Sequence, residues 1–296
     1  MKISNTHVGI VSLILCSFLW GFFGIFARTV GFQLPLFYQS WTRNILTTLL
    51  LLPFCFYFRS FKKVKVKDWF WIILRTTAGV FSFASIFIAF NFIPIGTGYF
   101  IFHGGALLTG FALGAILFKE KLTPIRFTSL LLALAGLTLI YSLNFDTNIV
   151  YLLLAFAGGL GSSFWNTLSK KISDNYSALY LNFLDFLAFG MICLIVSLVL
   201  GEKWTVPTFT APWIVNVIFA VLFAVTGQLV IVGFKYTDAQ IGSLIILMEI
   251  LFGIILGFLF YQETLSLLTI LGGMLIIIAV VLPEIKWKKV FYRFKI

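Results

Sequence analysis

The chain has 296 residues, of which 61% are hydrophobic, 18% aromatic and only 10% charged, with a mean hydropathy of +1.08. Soluble domains carry roughly 25% charged residues, so this is an integral membrane protein. Its long continuous apolar runs exclude a β-barrel, which would read as ~10-residue segments of alternating polarity, and the formal charge of +11 falls in short loops, where it marks membrane orientation instead of a nucleic-acid partner.

Runs bounded by charge, proline or turn residues predict ten transmembrane helices, at 8–28, 36–58, 69–92, 95–118, 125–143, 150–169, 178–200, 212–234, 240–261 and 265–283. The first is retained, because it ends in Phe26-Ala27-Arg28 without a small-residue cleavage site and nine more spans follow. Cysteines 16, 55 and 193 fall inside apolar runs with no metal-like spacing and read as small buried hydrophobes. With the N-terminus in the cytoplasm, the inside segments hold Lys2; Arg59, Lys62, Lys63, Lys65 and Lys67; Lys119, Lys121 and Arg126; Lys170 and Lys171; Lys235; and Lys286, Lys288, Lys289, Arg293 and Lys295. Only Arg28 and Lys203 remain for the outside loops, with Arg43 and Arg75 inside spans. Both termini are therefore expected in the cytoplasm of a bacterial-type inner membrane.

The chain contains an internal repeat. Gly110, Gly114, Glu120, Leu122 and Thr123 spell a pattern that Gly253, Gly257, Glu263, Leu265 and Ser266 repeat, each shifted by 143 positions. Each half then holds five spans, residues 1–145 and 146–296, and an odd number of spans turns the second half upside down. The expected fold is an all-α integral membrane bundle of two inverted five-helix repeats, an arrangement that suits exchange between two access states.

At Trp20-Gly21-Phe22-Phe23, Arg43, the Lys119-Glu120-Lys121-Leu122-Thr123-Pro124 turn followed by Leu134-Ala135-Gly136, and Met248-Glu249 before Gln262-Glu263-Thr264-Leu265, the sequence resembles the ten-helix EamA-type carriers of the drug/metabolite transporter superfamily. The resemblance runs from residue 8 to residue 283. It implies secondary transport of a small organic solute, without choosing among amino acids, nucleotide derivatives, sugars and drugs. Ile250 stands where that family often has a proline, so a bend in span 9 is not expected from composition alone.

An ionisable residue within a span marks function by default, since a charge at mid-bilayer costs at least ~2.5–3.5 kcal/mol. Arg43 and Asp185 occupy equivalent places near the midplane of spans 2 and 7, with Asn182 one turn from Asp185. Two readings stand: they face a shared solute cavity, Arg43 holding an acid group and Asp185 an amine or a proton, or they form a structural pair. Glu249 shares a helix face with Gly253 and Gly257, and His103 one with Gly110 and Gly114, glycines that let helices pack closely. Glu249, Asp185 and His103 are thus the proton-coupling candidates, although His103 also fits a structural hydrogen bond. Arg75, six residues past Trp69, reads as an interfacial anchor. Trp20, Tyr99 and Trp165 are placed to stack on a solute.

The expected activity is alternating-access transport of a small polar metabolite, leaning to an amino-acid-like or adenosyl-amino-acid-like zwitterion, by exchange or proton coupling. An exporter of drugs or organic cations on the same fold is the nearest alternative. A lipid-modifying enzyme is a remoter one, since only His7 and His103 are available for a cluster of catalytic side chains. No cofactor, metal or nucleic acid is expected; the partners are the solute and lipid, and one chain suffices to enclose a cavity.

Overall fold

A computed structural model describes residues 4–30, 33–141 and 148–285, without the side chains of residues 27 and 28. Lys2, the Arg28 side chain and the basic residues from Lys286 to Lys295, all part of the charge argument, lie outside the described set. The helices are α1 (Asn5–Gly21), α2 (Phe23–Val30), α3 (Leu36–Tyr57), α4 (Val66–Ala89), α5 (Ile95–Leu117), α6 (Pro124–Ile140), α7 (Ile149–Ile172), α8 (Ala178–Val199), α9 (Ala211–Tyr236), α10 (Ala239–Ile246), α11 (Met248–Tyr261) and α12 (Leu267–Val281). Breaks at Phe22 and Leu247 divide the first and ninth rods, so twelve helices make ten rods. Among the described residues, eight rods are both long and apolar enough to cross a membrane. The other two have evident reasons to differ: α6 is short at 17 residues, and α3 carries Gln39, Ser40, Thr42, Arg43, Asn44, Thr47 and Thr48.

Polar caps set the boundaries of these apolar helices. Ser4, Thr123, Asn148, Ser177 and Ser266 each accept a backbone N–H in the first turn of α1, α6, α7, α8 and α12, satisfying donors that would otherwise be left open.

Two halves related by exchange account for the packing. Matching α1 and α2 to α7, α3 to α8, α4 to α9, α5 to α10 and α11, and α6 to α12 maps the main contacts between the halves onto one another, while within the second half α9 also packs on α7 and α8. The packing of α1 on α9 becomes that of α7 on α4, and α1 on α11 becomes α7 on α5. The pairs α3–α8, α5–α10 and α6–α12 cross between the halves. At the last, a Cβ on Gly136 would stand 2.7 Å from the carbonyl oxygen of Gly272, and one on Gly272 would stand 2.6 Å from that of Gly136, so only glycine permits this approach.

The repeated sequence pattern now has a physical meaning. Lys119 and Gln262, 143 positions apart, both end a helix with positive φ, 55° and 54°, a left-handed turn that reverses the chain. The turn folds a glutamate back over the helix it leaves: a Cβ on Gly114 would meet Glu120 Oε2 at 2.7 Å, and one on Gly257 would meet Glu263 Oε2 at 2.7 Å. Two of the four stripe glycines therefore make room for a carboxylate; Gly110 makes room for Ser243 of α10, and Gly253 lies beside Gly21 of α1.

Candidate functional site

Two cavities lie at mid-depth, on either side of a tryptophan pair. Trp20 of α1 and Trp165 of α7 stack with centroids 6.1 Å apart and planes 22° apart. Trp20 lines one cavity, whereas Trp165 packs on Phe83 and Phe189, which line the other.

The first cavity is walled by Ser40, Arg43 and Asn44 of α3, Phe83 of α4, Phe189 of α8 and Phe223 of α9. It reaches from mid-span to Leu36 and Phe37 at the start of α3. Of the polar residues that keep α3 from being a plain lipid-facing span, Ser40, Arg43 and Asn44 line this space, while Thr42 and Thr47 hydrogen-bond to α9. Arg43 is 7% exposed, and its guanidinium carbon stands 4.8 and 4.9 Å from the centroids of Phe219 and Phe223. The guanidinium makes no ion pair or hydrogen bond to any described residue; its Nε is buried without an acceptor, and Asn44 Oδ1 is buried without a donor.

Asp185 does not face Arg43. Its carboxylate pairs with Arg75 and accepts from Thr76 Oγ1 at 2.9 Å and Trp165 Nε1 at 3.3 Å. Arg75 in turn donates from Nε to the Trp165 carbonyl at 2.8 Å and is 1% exposed. The anchor expected at Arg75 is therefore corrected: it is the buried structural partner of Asp185, tying α4, α7 and α8 together. Sequence counting misplaced it because the start of α4 is covered by protein. Asp68 accepts from Tyr176 Oη at 2.8 Å and Asn175 Nδ2 at 3.2 Å, and Lys62 Nζ donates to the Asn175 carbonyl at 2.7 Å, so the α7–α8 connection lies over it. Asn182 donates to the Ala224 carbonyl at 3.0 Å and lies against Gly227, an α8–α9 packing contact outside the lining of both cavities.

The second cavity is lined by Trp20, His103, Ser163, Asn166, Ser243 and Glu249, among others. Glu249 Oε1 stands 3.4 Å from His103 Nδ1, and Tyr99 stacks on the His103 ring at 5.7 Å. The break at Leu247 occurs without proline and places Glu249 in the first turn of α11, where the positive helix end favours a carboxylate. Arg43, Asp185 and Glu249 thus do not share one space: Arg43 lines one cavity, Glu249 the other, and Asp185 is held by Arg75.

Glu120 closes the protein at the face carrying the basic loops. Its Oε1 accepts from the Ala239 N–H at 2.7 Å and Lys170 Nζ at 3.0 Å, and Oε2 accepts from the Gln240 N–H at 3.1 Å, capping α10. Arg126 pairs with Asp238 and donates to Gln240 Oε1 at 3.2 Å. The motif flagged Glu120 in the sequence but gave no sign of this clasp between the halves. Nor did it reveal the phenylalanines around Arg43, which spacing cannot distinguish among 36.

No curated protein matches the sequence at a significant level. Among solved structures, one described only as the crystal structure of a protein superposes with a TM-score of 0.79 at 16% identity, covering 95% of this chain and 98% of its own, a likeness of fold alone. The EamA-like transporter family matches twice in succession, over residues 7–142 and 149–283. With both halves matched, the chain belongs to that family, in the drug/metabolite transporter superfamily.

Proposed function

We propose that this membrane transporter is a secondary carrier that moves a small organic solute bearing an acid group by alternating access between its two halves. Arg43 carries this reading: a buried, unpartnered guanidinium in a cavity between α3 of one half and α8 and α9 of the other, where an isolated charge is costly unless something completes it. The packing supports it too, since halves that exchange onto one another can take up mirrored inward-open and outward-open states at similar energy. Amino-acid-like and adenosyl-amino-acid-like solutes carry such an acid; the amine partner expected for them, Asp185, is occupied by Arg75. An organic cation would meet Arg43 in this cavity, which argues for the acid over the cation.

The basic loops support a reading with both termini in the cytoplasm of a plasma membrane of the bacterial inner-membrane type and the Glu120 clasp on that side. One chain encloses both cavities, so a monomer suffices. Glu249 and His103 form the proton-coupling pair, separated from the solute by the tryptophan stack. Counterflow in proteoliposomes tests the carrier: preloaded unlabelled acid accelerates uptake of labelled acid, whereas a channel gives no acceleration and an enzyme gives product without translocation. Glu249→Gln abolishes the response of uptake to a pH gradient while leaving counterflow in place. An unchanged gradient response in that variant removes the coupling role.

A further inference from the structure

Among the described residues, the solute cavity has one formal charge, Arg43, and no opposite charge in its lining. Asp185 lies behind Trp165 with its donors in place. Glu249 lies across the tryptophan pair. The Glu202 carboxylate accepts from the Phe37 and Tyr38 N–H groups at 3.0 and 2.6 Å and from Ser197 Oγ at 2.7 Å, so it caps the start of α3 and is not paired with Arg43. The rest of the lining carries no formal charge: Phe83, Phe87, Phe189, Phe223 and Val80 are apolar, Ser40 and Cys193 are neutral, and the Asn44 amide is a neutral neighbour whose oxygen has no donor.

We infer that the solute of this cavity is an organic monoanion with a flat apolar body and no ammonium group, its carboxylate or sulfonate held by Arg43 and its body lying among Phe83, Phe87 and Phe189. The inference rests on reading this cavity as the carrier's solute site. Single charge follows from charge matching: one guanidinium neutralises one acid, and a second negative charge would stand against phenylalanine rings. The missing ammonium follows from the absence of a carboxylate in the lining, and from the occupation of Phe219 and Phe223 by Arg43 itself, which leaves those ring faces unavailable to another cation. Aromatic walls favour a planar body, by stacking in offset or edge-on geometry. A neutral donor near the acid, such as a hydroxyl, would meet Asn44 Oδ1.

Four probes of one shape separate the possibilities. 3-Phenylpropanoate, 3-phenylpropanamide, 3-phenylpropylamine and phenylalanine are titrated against purified full-length protein in detergent, with binding read by calorimetry. The carboxylate is expected to bind about 10- to 100-fold more tightly than the amide, the amine and the zwitterion, as loss of charge-assisted hydrogen bonds implies. Arg43→Gln is expected to erase the preference for carboxylate over amide and Arg43→Lys to keep part of it. Arg43 has no protein partner to strand, so both variants should keep the wild-type elution profile, and the four-probe comparison on the unaltered protein needs no variant. Equal or tighter binding of the amine or zwitterion overturns the inference, as does absence of binding by all four or a carboxylate preference that survives Arg43→Gln. Counterflow of the same probes isolates the other reading: carboxylate binding without counterflow defeats the carrier and leaves the ligand class, whereas counterflow of the amine alone defeats the class and leaves the carrier.

Discussion

Lys119 and Gln262 turn the chain with the same backbone angle, Thr123 and Ser266 cap the helices that follow, and Gly114 and Gly257 make the same room for a glutamate. Charge at mid-membrane obeys no such repetition. In the repeat, Arg43 of the first half corresponds to Asp185 of the second; Arg75 has no basic counterpart in α9 before Lys235; His103 belongs only to the first half and Glu249 only to the second. The ninth rod is broken at Leu247 whereas its counterpart α5 is continuous. Packing therefore retains the duplication while the groups proposed to hold the solute and to couple protons have diverged. A carrier needs the first property to reach two mirrored states and the second to hold a solute that has no symmetry of its own.

The sharpest way to break this comparison is at Arg75 and Asp185, where each half supplies one charge to a buried pair. Removing one partner leaves the other uncompensated. Arg75→Met and Asp185→Asn are each expected to destabilise the protein by about 3–5 kcal/mol, while Arg75→Met combined with Asp185→Leu recovers most of that loss. Unfolding midpoints in mixed micelles check it. If the double variant is as damaged as the singles, the pair does more than neutralise charge.

That pair also marks how far the sequence could be read. Ten rods, two halves and the turn glycines follow from hydropathy and from one repeated pattern, because both are local properties. Asp185 is legible as a buried charge, but its partner is not, since Arg43 and Arg75 lie in different helices and only tertiary packing brings Arg75, and not Arg43, to α8. Depth counted along α4 failed for the same reason: the Asp68 face of its first turn is covered by Tyr176 and Asn175 from a distant connection. The break at Leu247 left no trace either, because no proline or glycine marks it. Pairing across helices is where one-dimensional reasoning stops.

Next in size is the clasp. Glu120→Gln removes the charge from the hydrogen bonds to Ala239 and Gln240 and from the pair with Lys170, with an expected loss of about 1.5–3 kcal/mol. Because these contacts join the first half to the second at one face only, the variant is also expected to label faster than the unaltered clasp at a cysteine introduced by Gln240→Cys. Labelling at equal rates would mean that the clasp does not hold that face shut.

The smallest effect is the most symmetric and tests the shared scaffold directly. Lys119 and Gln262 adopt the left-handed conformation without being glycine, which costs an L-residue roughly 1–2 kcal/mol, partly offset by the greater chain entropy that glycine gives the unfolded state. Lys119→Gly and Gln262→Gly are therefore each expected to stabilise the protein by up to about 1 kcal/mol, by the same amount on opposite faces, and the two gains should add because the sites are far apart. A thermal midpoint that rises for one and falls for the other would show that the two turns, although alike in angle, bear different loads, and the equivalence of the halves would then end at the backbone.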